Sequence, residues 1–499
     1  MLPEEICNLF LTKIQVQKLT IIYEMHSNKL QLFEIETFLD EPRKKIKRVA
    51  ESLKLDISEY SRKKKKKCSL IIEKEKIYFS PDICDEEFVN LKSFLQEEYL
   101  QASGAYRGLL YILEKRCFSI IKLAKHLSYS ESYTYKIMKK IKEFLIVMDL
   151  DIFISKKNET ILQLIGDEVS IRLLHYLTIH YVSVNETWWF QTIHKHQIDA
   201  EYSFLNSNRM KKLSKSNLQR VHIILAINEL AIKKGCLSKD LPSSVIHLGK
   251  IINKEKELSR YLKDLNKKRS GKTNKLHEEV LQFASILNYF TQELRTKEEK
   301  INIGKEIVSN EGNEIAKPCL SLLNQICKKY EISKDIYYIL VYQLCNRLIV
   351  IHYLNYFKFM KFDKRQVLKG ETEKYIESIV KESLGKYCSE ESYQKLLLSF
   401  TQVVISYLTL SSVASLKIYI EFHRSPEYKV IIENILAHNY RKQVLRIVDD
   451  YKEADIVISD TFVPGDKEKF FYFQDVFDST AWYNLGTYLN EIIQKSLTL

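Results

Sequence analysis

The stretch from Ser119 to Leu145 constrains the possible fold more than any other part of the sequence. It contains two short amphipathic segments, and serines recur between them at Ser128, Ser130 and Ser132. Serine suits the start of a helix because its hydroxyl accepts a backbone N–H that has no partner within the helix. The sequence therefore predicts two short helices joined by a tight turn, which is the pattern of a helix-turn-helix.

Apolar residues define one face of each predicted helix. In the second helix they recur at i, i+4, i+7 and i+8, a spacing that places them on one side. The inward residues expected for the two helices are Ile120, Ile121, Leu123, Ala124 and Leu127, then Ile137, Ile141, Phe144 and Leu145. The two helices should therefore share a core.

The opposite face of the second helix carries lysines together with tyrosine. A helix-turn-helix lays its second helix in the major groove of DNA, where cationic side chains contact phosphates or guanine edges. The residues predicted to contact DNA are Ser132, Tyr133, Lys136, Lys139 and Lys140. A solvated amphipathic helix pair is the alternative interpretation of this stretch taken alone.

Residues 15–80 repeat the same order of elements. The predicted helices are Val16–Met25, Leu30–Leu39 and Pro42–Leu55. Asp40 is expected to cap the third of them. Leu70–Ile72 and Ile77–Phe79 flank a polar turn and predict a β-hairpin, the wing of a winged helix.

This first copy also has an apolar and a basic face. The inward residues expected for its second helix are Leu32, Ile35, Phe38 and Leu39. Its third helix should expose Arg43, Lys44, Lys47 and Arg48, and we predict that the first three contact DNA. The lysine-rich run at Arg62–Lys67 is interpreted as a solvated loop beside the wing, where it would contact phosphates without choosing a base sequence.

The second copy has its own wing. Ala105–Lys115 predicts a leading helix, and Asp151–Ile165 predicts a hairpin that turns at Lys157–Glu159. Two consecutive winged helices are harder to explain by chance than one. The doubled pattern therefore favours DNA binding over a merely solvated helix pair.

Charge and composition agree with a polyanionic partner. The formal net charge is +13, and residues 43–67 contain twelve Lys or Arg against three Asp or Glu. Nine cysteines without a C-x-x-C pair favour reduced thiols in a cytoplasm and argue against a zinc site. We expect no signal peptide and, because no apolar run reaches eighteen residues, no membrane span.

Beyond residue 168 the sequence predicts a mainly α, multidomain protein. Two blocks of long helices at 169–300 and 301–412 suggest a duplicated bundle, with the polar stretch 295–317 as a connection between them. One helix is expected over Lys334–Met360. Residues 413–499 alternate strands and helices, which predicts a small α/β domain with a mostly parallel sheet.

This order of parts resembles the Mga/AtxA-type virulence regulators of Gram-positive bacteria. The resemblance rests on the second helix-turn-helix (Leu123–Leu145), the joining segment Ile161–Leu177, and the strand Lys417–Phe422. It implies two winged helix-turn-helix domains (1–90 and 91–168), two phosphotransferase-regulation domains (169–300 and 301–412) and a domain similar to enzyme IIB of the sugar phosphotransferase system (413–499). It also implies a promoter-binding transcriptional activator that oligomerises through its C-terminal half.

The resemblance adds several residue-level expectations. In the second wing it places DNA contacts at Lys156 and Lys157. It suggests His222 as a phosphorylation site served by the phosphocarrier protein of the sugar phosphotransferase system, with His352 as the nearest alternative in the second block. Where enzyme IIB carries a cysteine, this chain has His423–Ser425, so we expect the fold without the phosphotransfer chemistry.

Other candidate chemistry is weaker. A buried core histidine is the alternative interpretation of His222, and the His194/His196 pair has no further metal ligand at a suitable spacing. Ser270–Thr273 ends like a phosphate loop but lacks the required upstream glycine. Trp188–Phe190 is interpreted as core or interface. We expect no enzyme, no metal and no cofactor.

Two other classes of function stay open at this point. One is an RNA-binding antiterminator that shares the regulatory domains, and the other is a component of the phosphotransferase system itself. The helical pattern at 105–145 speaks against the first, and the missing cysteine speaks against the second. Groove geometry and the resemblance together predict a homodimer or larger homo-oligomer on double-stranded promoter DNA.

Overall fold

The computed structural model describes residues 9–25, 29–73, 75–180, 187–254, 273–310, 312–330, 332–360, 371–385, 389–411, 416–422, 427–440, 444–461, 470–473 and 475–497. The chain is predominantly helical with small sheets, which confirms the mainly α class. It divides into two compact units, residues 1–295 with 349–361, and residues 296–348 with 362–499. The five domain ranges drawn from the sequence stay predictions.

The first unit begins with a winged helix. Its elements are α1 (Lys13–Glu24), β1 (Lys29–Gln31), α2 (Leu32–Leu39), α3 (Arg43–Lys64), β2 (Ser69–Glu73) and β3 (Lys76–Ser80). The strands form an antiparallel sheet in the order β1-β3-β2, so the predicted hairpin is confirmed. Ile46, Val49, Ala50 and Leu53 form the buried side of α3 at helical spacing.

Four details of this copy differ from the prediction. Leu30 lies in β1 rather than in a helix, because residues 29–31 pair with β3. Phe38 is exposed on the solvent side of α2. Asp40 adopts a left-handed conformation (φ 49°) that ends α2, and α3 begins after Pro42 instead. Arg62–Lys64 extend the last turn of α3, where cations are favoured by the helix dipole.

A long helix that the sequence pattern did not reveal separates the two winged helices. This helix, α4 (Asp85–Ala102), lies in a stretch rich in aspartate and glutamate. It buries Leu91, Leu95 and Leu100, and Tyr99 on it donates a hydrogen bond to Asp56 of α3 at 2.5 Å. Its acidic surface masks the apolar periodicity.

The second winged helix repeats the first. Its elements are α5 (Gly104–Lys115), β4 (Cys117–Phe118), α6 (Ile120–Leu127), α7 (Glu131–Met148), β5 (Phe153–Lys156) and β6 (Leu162–Ile165). The sheet order is β4-β6-β5, again antiparallel, and the second hairpin is confirmed.

A helical region completes the first unit. It contains α8 (Glu168–His180), α9 (Lys195–Glu201), α10 (Lys215–Lys233), α11 (Ser243–Ile252) and α12 (Thr273–Phe290). Residues 349–360 belong to the same unit, and Lys358 pairs with Asp151 at the base of the second wing, with a distance of 2.9 Å between Nζ and Oδ2.

The all-helical part of the second unit contains α13 (Lys297–Ser309), α14 (Lys317–Lys329), α15 (Lys334–Leu348), α16 (Glu371–Leu384) and α17 (Glu390–Ser411). The expected connection over 295–317 was wrong, because Thr296 and Glu299 form a capping box that starts α13. The single helix expected over Lys334–Met360 was also wrong, because it changes at Ile349 to a π-helical turn and then to a 3₁₀ turn.

The α/β part of the second unit matches the expected order. It contains β7 (Leu416–Glu421), α18 (Glu427–Asn439), β8 (Leu445–Ile447), β9 (Ile456–Ser459), β10 (Phe470–Tyr472) and α19 (Ser479–Leu497). All pairs are parallel in the order β10-β9-β7-β8. Ile418, Ile458 and Leu489 contribute to its core. His423–Ser425 lie outside the described residues.

Candidate nucleic-acid interface

The turn between α6 and α7 is fixed by local hydrogen bonds. Ser128 ends α6 in a left-handed conformation (φ 60°), and the Tyr129 N–H donates to the Ala124 carbonyl at 3.1 Å. The Ser130 hydroxyl then accepts the Tyr133 N–H at 3.3 Å and starts α7. These contacts set the direction in which the second helix leaves the turn.

The predicted faces of α7 are confirmed by burial. Ile137, Ile141, Phe144 and Leu145 are all buried. The five residues predicted to contact DNA all lie on the exposed side: Ser132, Tyr133, Lys136, Lys139 and Lys140. On α6 one expectation was wrong, because Ile121 is 64% exposed and points away from the shared core.

Two glycines of α5 allow α7 to pack closely. A Cβ atom at Gly104 would lie 2.9 Å from Ile137 Cδ1, and one at Gly108 would lie 3.1 Å from Ile141 Cδ1. Both contacts are shorter than ordinary side-chain packing. The small residues of α5 therefore determine how near the exposed helix lies to its scaffold.

Tyrosines shape the first turns of the exposed face. Tyr129 and Tyr133 meet edge to face with 4.9 Å between ring centroids, and Arg107 lies 5.9 Å from the Tyr129 ring. Arg107 also donates to the Leu127 carbonyl at 3.3 Å. Tyr135, which the sequence did not single out, is 60% exposed beside Lys136 and presents a further aromatic group.

The lysines of α7 are accessible and differ in their surroundings. Lys139 lies 3.9 Å from Glu143, an exposed pair of little energetic weight. The pKa of Lys140 is lowered because neighbouring protein partly desolvates its ammonium although the side chain is exposed, and Glu143 opposes this effect. Lys136 is exposed as well, on the same face of the helix.

The second wing holds its two lysines on a defined turn. Lys156 ends β5 and Lys157 follows it, and both side chains are exposed. The Asn158 side chain accepts the Ile161 N–H at 2.8 Å, while the Lys157 N–H donates to the Ile161 carbonyl at 2.8 Å. The structure thus combines an exposed basic helix with an exposed basic wing in one small domain.

Residues 88–178 match the Mga helix-turn-helix domain. The match covers most of α4, the second winged helix and nearly all of α8. It indicates a DNA-binding transcriptional regulator. No curated protein matches the chain. Within the described parts of the chain, none of the helices has the length and apolar character needed to cross a membrane.

The first winged helix follows the register of the Mga domain. Strand β1, helix α2 and helix α3 begin at 29, 32 and 43, and their counterparts begin at 117, 120 and 131, a constant offset of 88 positions. Buried residues coincide at this offset in the pairs Ile46/Thr134, Val49/Ile137, Ala50/Met138, Leu53/Ile141 and Ile57/Leu145. The two copies therefore present equivalent exposed positions.

The offset of 88 positions pairs the exposed residues of α3 with those of α7. Lys44 and Lys47 are exposed and correspond to Ser132 and Tyr135. Arg48, which was not among the predicted contacts, corresponds to Lys136 and is exposed. The correspondence between Arg48 and Lys136 follows from the constant offset of 88 positions. That offset can be recognised only once the bounds of the strands and helices are known.

Arg43 forms an ion pair within the protein. Its guanidinium forms an ion pair with Glu75 in the turn of the first wing, and this hydrogen bond raises the pKa of Arg43. Of the three residues predicted in the first copy, Arg43 is thus held by the protein, while Lys44 and Lys47 present their charge to solvent.

His222 lies in the interior rather than on the surface. It is 2% exposed, its Nδ1 lies 2.7 Å from the Leu218 carbonyl oxygen, and its Nε2 lies 2.6 Å from Asp199 Oδ1. His352 is partly buried in the π-helical turn, where burial lowers its pKa. Phosphorylation of either histidine stays a prediction.

The remaining candidates do not form a site. His194 and His196 stack with 5.5 Å between their rings, but no group of three or more metal-binding side chains occurs among the residues the structure describes. Ser270–Lys272 lie outside the described residues, and Thr273 begins α12. In Trp188–Phe190, Trp189 packs edge to face on Tyr106 with 5.2 Å between ring centroids, which fits the expected core or interface.

Proposed function

We propose that the protein is a promoter-binding transcriptional activator of virulence or metabolic genes that acts in the cytoplasm and has no enzymatic activity. The observation that carries the proposal is the exposed, basic and aromatic face of α7 on the winged helix that matches the Mga domain. Such a face fits the width and charge of the DNA major groove.

In this proposal, helix α7 and the wing of the second winged helix contact different parts of the DNA. Lys136, Lys139 and Lys140 contact phosphates or guanine edges, and Ser132 and Tyr133 contact the backbone or bases near the start of α7. Lys156 and Lys157 of the wing contact phosphates beside the groove. The first winged helix adds Lys44 and Lys47, and Arg43 joins them only after leaving Glu75.

The C-terminal parts control this contact. Residues 169–300 and 301–412 act as phosphotransferase-regulation domains, and 413–499 acts as an enzyme IIB-like domain through which a homodimer or larger oligomer forms. The parallel order of the C-terminal sheet supports the last assignment. Dimerisation is tested by light scattering at micromolar concentration, where a monomer would contradict it.

Phosphorylation of His222 by the phosphocarrier protein is part of the same proposal. The Nε2 atom faces Asp199, so a phosphoryl group there would place two negative charges side by side and separate α9 from α10. The test is peptide mapping after incubation with the phosphorylated carrier, with His222→Ala as the control. A phosphate found only elsewhere would overturn this assignment.

DNA binding is tested by titrating the full chain with duplex promoter DNA and with hairpin RNA. The double variant Lys136→Ala/Lys140→Ala should lose at least tenfold in DNA affinity, because two exposed cations leave the groove face. The matched control Lys211→Ala/Lys212→Ala removes the same charge from exposed residues outside both winged helices. Equal loss in both variants would remove the groove assignment, and preference for the RNA hairpin would favour an antiterminator.

A further inference from the structure

Arg116 connects the second wing to the helical region. It follows α5 in a left-handed conformation (φ 63°) and is 6% exposed. Its carbonyl accepts the Leu164 N–H of β6 at 2.8 Å, and the next two residues form β4, which pairs with β6. The backbone of Arg116 is therefore part of the sheet that carries the wing.

The side chain of Arg116 begins a chain of buried ion pairs. Arg116 Nη2 lies 2.9 Å from Glu168 Oε1, and the same oxygen accepts from Arg172 Nε at 3.0 Å. Arg172 Nη1 then contacts Glu279 Oε2 at 2.5 Å. Glu279 Oε1 accepts the Ser238 N–H at 2.6 Å. We call Arg116, Glu168, Arg172 and Glu279 the buried quartet.

The charges of the buried quartet balance. It contains two guanidinium groups and two carboxylates, and Arg116, Arg172 and Glu279 are all less than 10% exposed. His175 adds no third cation, because complete burial and the nearby Arg116 keep its pKa well below the ordinary value. Removing any one member leaves an uncompensated charge in the interior, which the remaining members relieve only by moving.

Helix α7 is attached to the helical region by a separate route, through α5. Tyr106 of α5 donates to the Thr178 carbonyl at 3.0 Å, and the Glu114 carboxylate accepts the Gln191 N–H at 2.8 Å. These contacts hold the α5 scaffold on which α7 packs. The sheet of the second wing, in contrast, is connected to α12 through the ion pairs of the buried quartet.

We infer that Arg116 is a positioning residue for the second wing and that Glu279 on α12 holds it there through Arg172 and Glu168. The inference rests on the proposed DNA contact of the wing. Because the four groups meet through directed, charge-assisted hydrogen bonds, they have few alternative arrangements. A change in the position of α12 therefore changes the position of Lys156 and Lys157.

Hydrogen exchange of the full chain tests the link without DNA. Glu279→Gln keeps the shape of the side chain but removes its charge, and exchange at residues 162–165 should accelerate at least tenfold. The matched control is Asn288→Ala, which removes two other buried hydrogen bonds of α12: one to Asn253 at 2.8 Å and one from Arg295 Nε at 3.0 Å. Equal acceleration in both variants, or none in either, overturns the inference.

Salt dependence of DNA binding tests the consequence. Replacing both Lys156 and Lys157 by alanine should reduce the slope of log affinity against log salt by up to about 2, and Glu279→Gln should reduce it similarly. When the two lysine replacements are combined with Glu279→Gln, their reductions of the slope should not add, because both remove the same contacts of the wing. Full additivity contradicts positioning of the wing.

A conservative variant separates positioning from folding and from the proposed function. Arg116→Lys keeps the charge but loses the fork of donors, so it should accelerate exchange at 162–165 less than Glu279→Gln does. If amide exchange at residues 162–165 in Arg116→Lys equals that of the wild type while Glu279→Gln unfolds the protein, Arg116 is not the positioning residue. If the two wing-lysine changes leave DNA binding unaltered while the exchange difference remains, the DNA role of the wing fails and the positioning stands.

Discussion

Arg43 at the start of α3 is ion-paired with Glu75 in the turn of its own wing. Both side chains are largely exposed, so the pair is weak and its charges are screened by salt. If Arg43 contacts a phosphate as proposed, Glu75 competes with DNA for its guanidinium.

Replacing Glu75 by glutamine should release Arg43 for DNA. We expect tighter binding to duplex DNA at low salt and a slope of log affinity against log salt that is steeper by about 0.9 for one added phosphate contact. Titration of the full chain at four salt concentrations measures both. Glu314→Gln, which changes an exposed acid in the second unit by the same charge, is the control, and an equal gain there would show that net charge alone is responsible.

Arg48 should contribute to base choice in the first winged helix. It occupies the position that corresponds to Lys136, and an arginine there can contact a guanine with two hydrogen bonds. Arg48→Ala should weaken binding to the preferred duplex by about 1–3 kcal/mol. Arg48→Lys should keep affinity for random duplex but lose discrimination between sequences. The two affinities are measured side by side, and an unaltered ratio in Arg48→Lys would exclude base reading.

Gly304 should tolerate no side chain. A Cβ atom there would lie 2.0 Å from the carbonyl oxygen of Tyr338, a backbone atom that cannot rotate away, so α13 and α15 would have to separate. Gly304→Ala should destabilise the second unit by about 1–3 kcal/mol, the usual cost of overpacking. The unfolding midpoint measures this.

Gly486 provides the matched control for the same substitution. It lies within α19, and a Cβ atom there meets nothing within 4 Å. Because alanine is the better helix former, Gly486→Ala should stabilise by about 0.5–1 kcal/mol. If Gly304→Ala leaves the unfolding midpoint unchanged while Gly486→Ala raises it, α13 and α15 lie farther apart than the structure shows.

His180 should make the first unit less stable in mild acid. Burial, with a smaller contribution from Arg220, lowers its pKa to about 4 from an ordinary value near 6.5. Between these values the unfolded state binds the proton and the folded state does not, so stability is lost as the pH falls from about 6.5 towards 4. The expected loss at pH 5 is at most about 2 kcal/mol.

The variant His180→Asn isolates this effect. Its unfolding midpoint should fall less than that of the wild type between pH 7.5 and pH 5, because asparagine does not titrate. Tyr176, whose ring stacks on His180 at 5.1 Å, is left in place. If the wild type and the variant lose equal stability over this interval, the pH dependence arises elsewhere.

Local periodicity was sufficient to predict the buried face of α7 in the second winged helix. In the 18-residue helix α7, apolar residues recur at i, i+4, i+7 and i+8 from Ile137, so its buried face was predicted correctly. The same information failed at α4, where acids on the exposed side hide the buried Leu91 and Leu95. It failed again at Phe38, because a short helix can turn an apolar residue to solvent when its neighbours fill the core.

Contacts between distant positions could not be predicted at all. The partner of Arg172 at Glu279 lies 107 positions away, and the partner of Arg43 lies in a different element. Burial and pairing of such groups depend on tertiary structure, which neither charge pattern nor periodicity contains. The domain boundaries and the DNA-contacting residues stay predictions for the same reason.

The constant register of the two winged helices has a consequence for the DNA sequence. At equivalent exposed positions one copy carries lysine and arginine where the other carries tyrosine and lysine. Under the proposed function, a single chain thus presents two DNA-binding winged helices that share one backbone arrangement and differ in their exposed side chains. The half-site bound by one chain is therefore expected to be bipartite and asymmetric, with any palindrome arising only from a second chain.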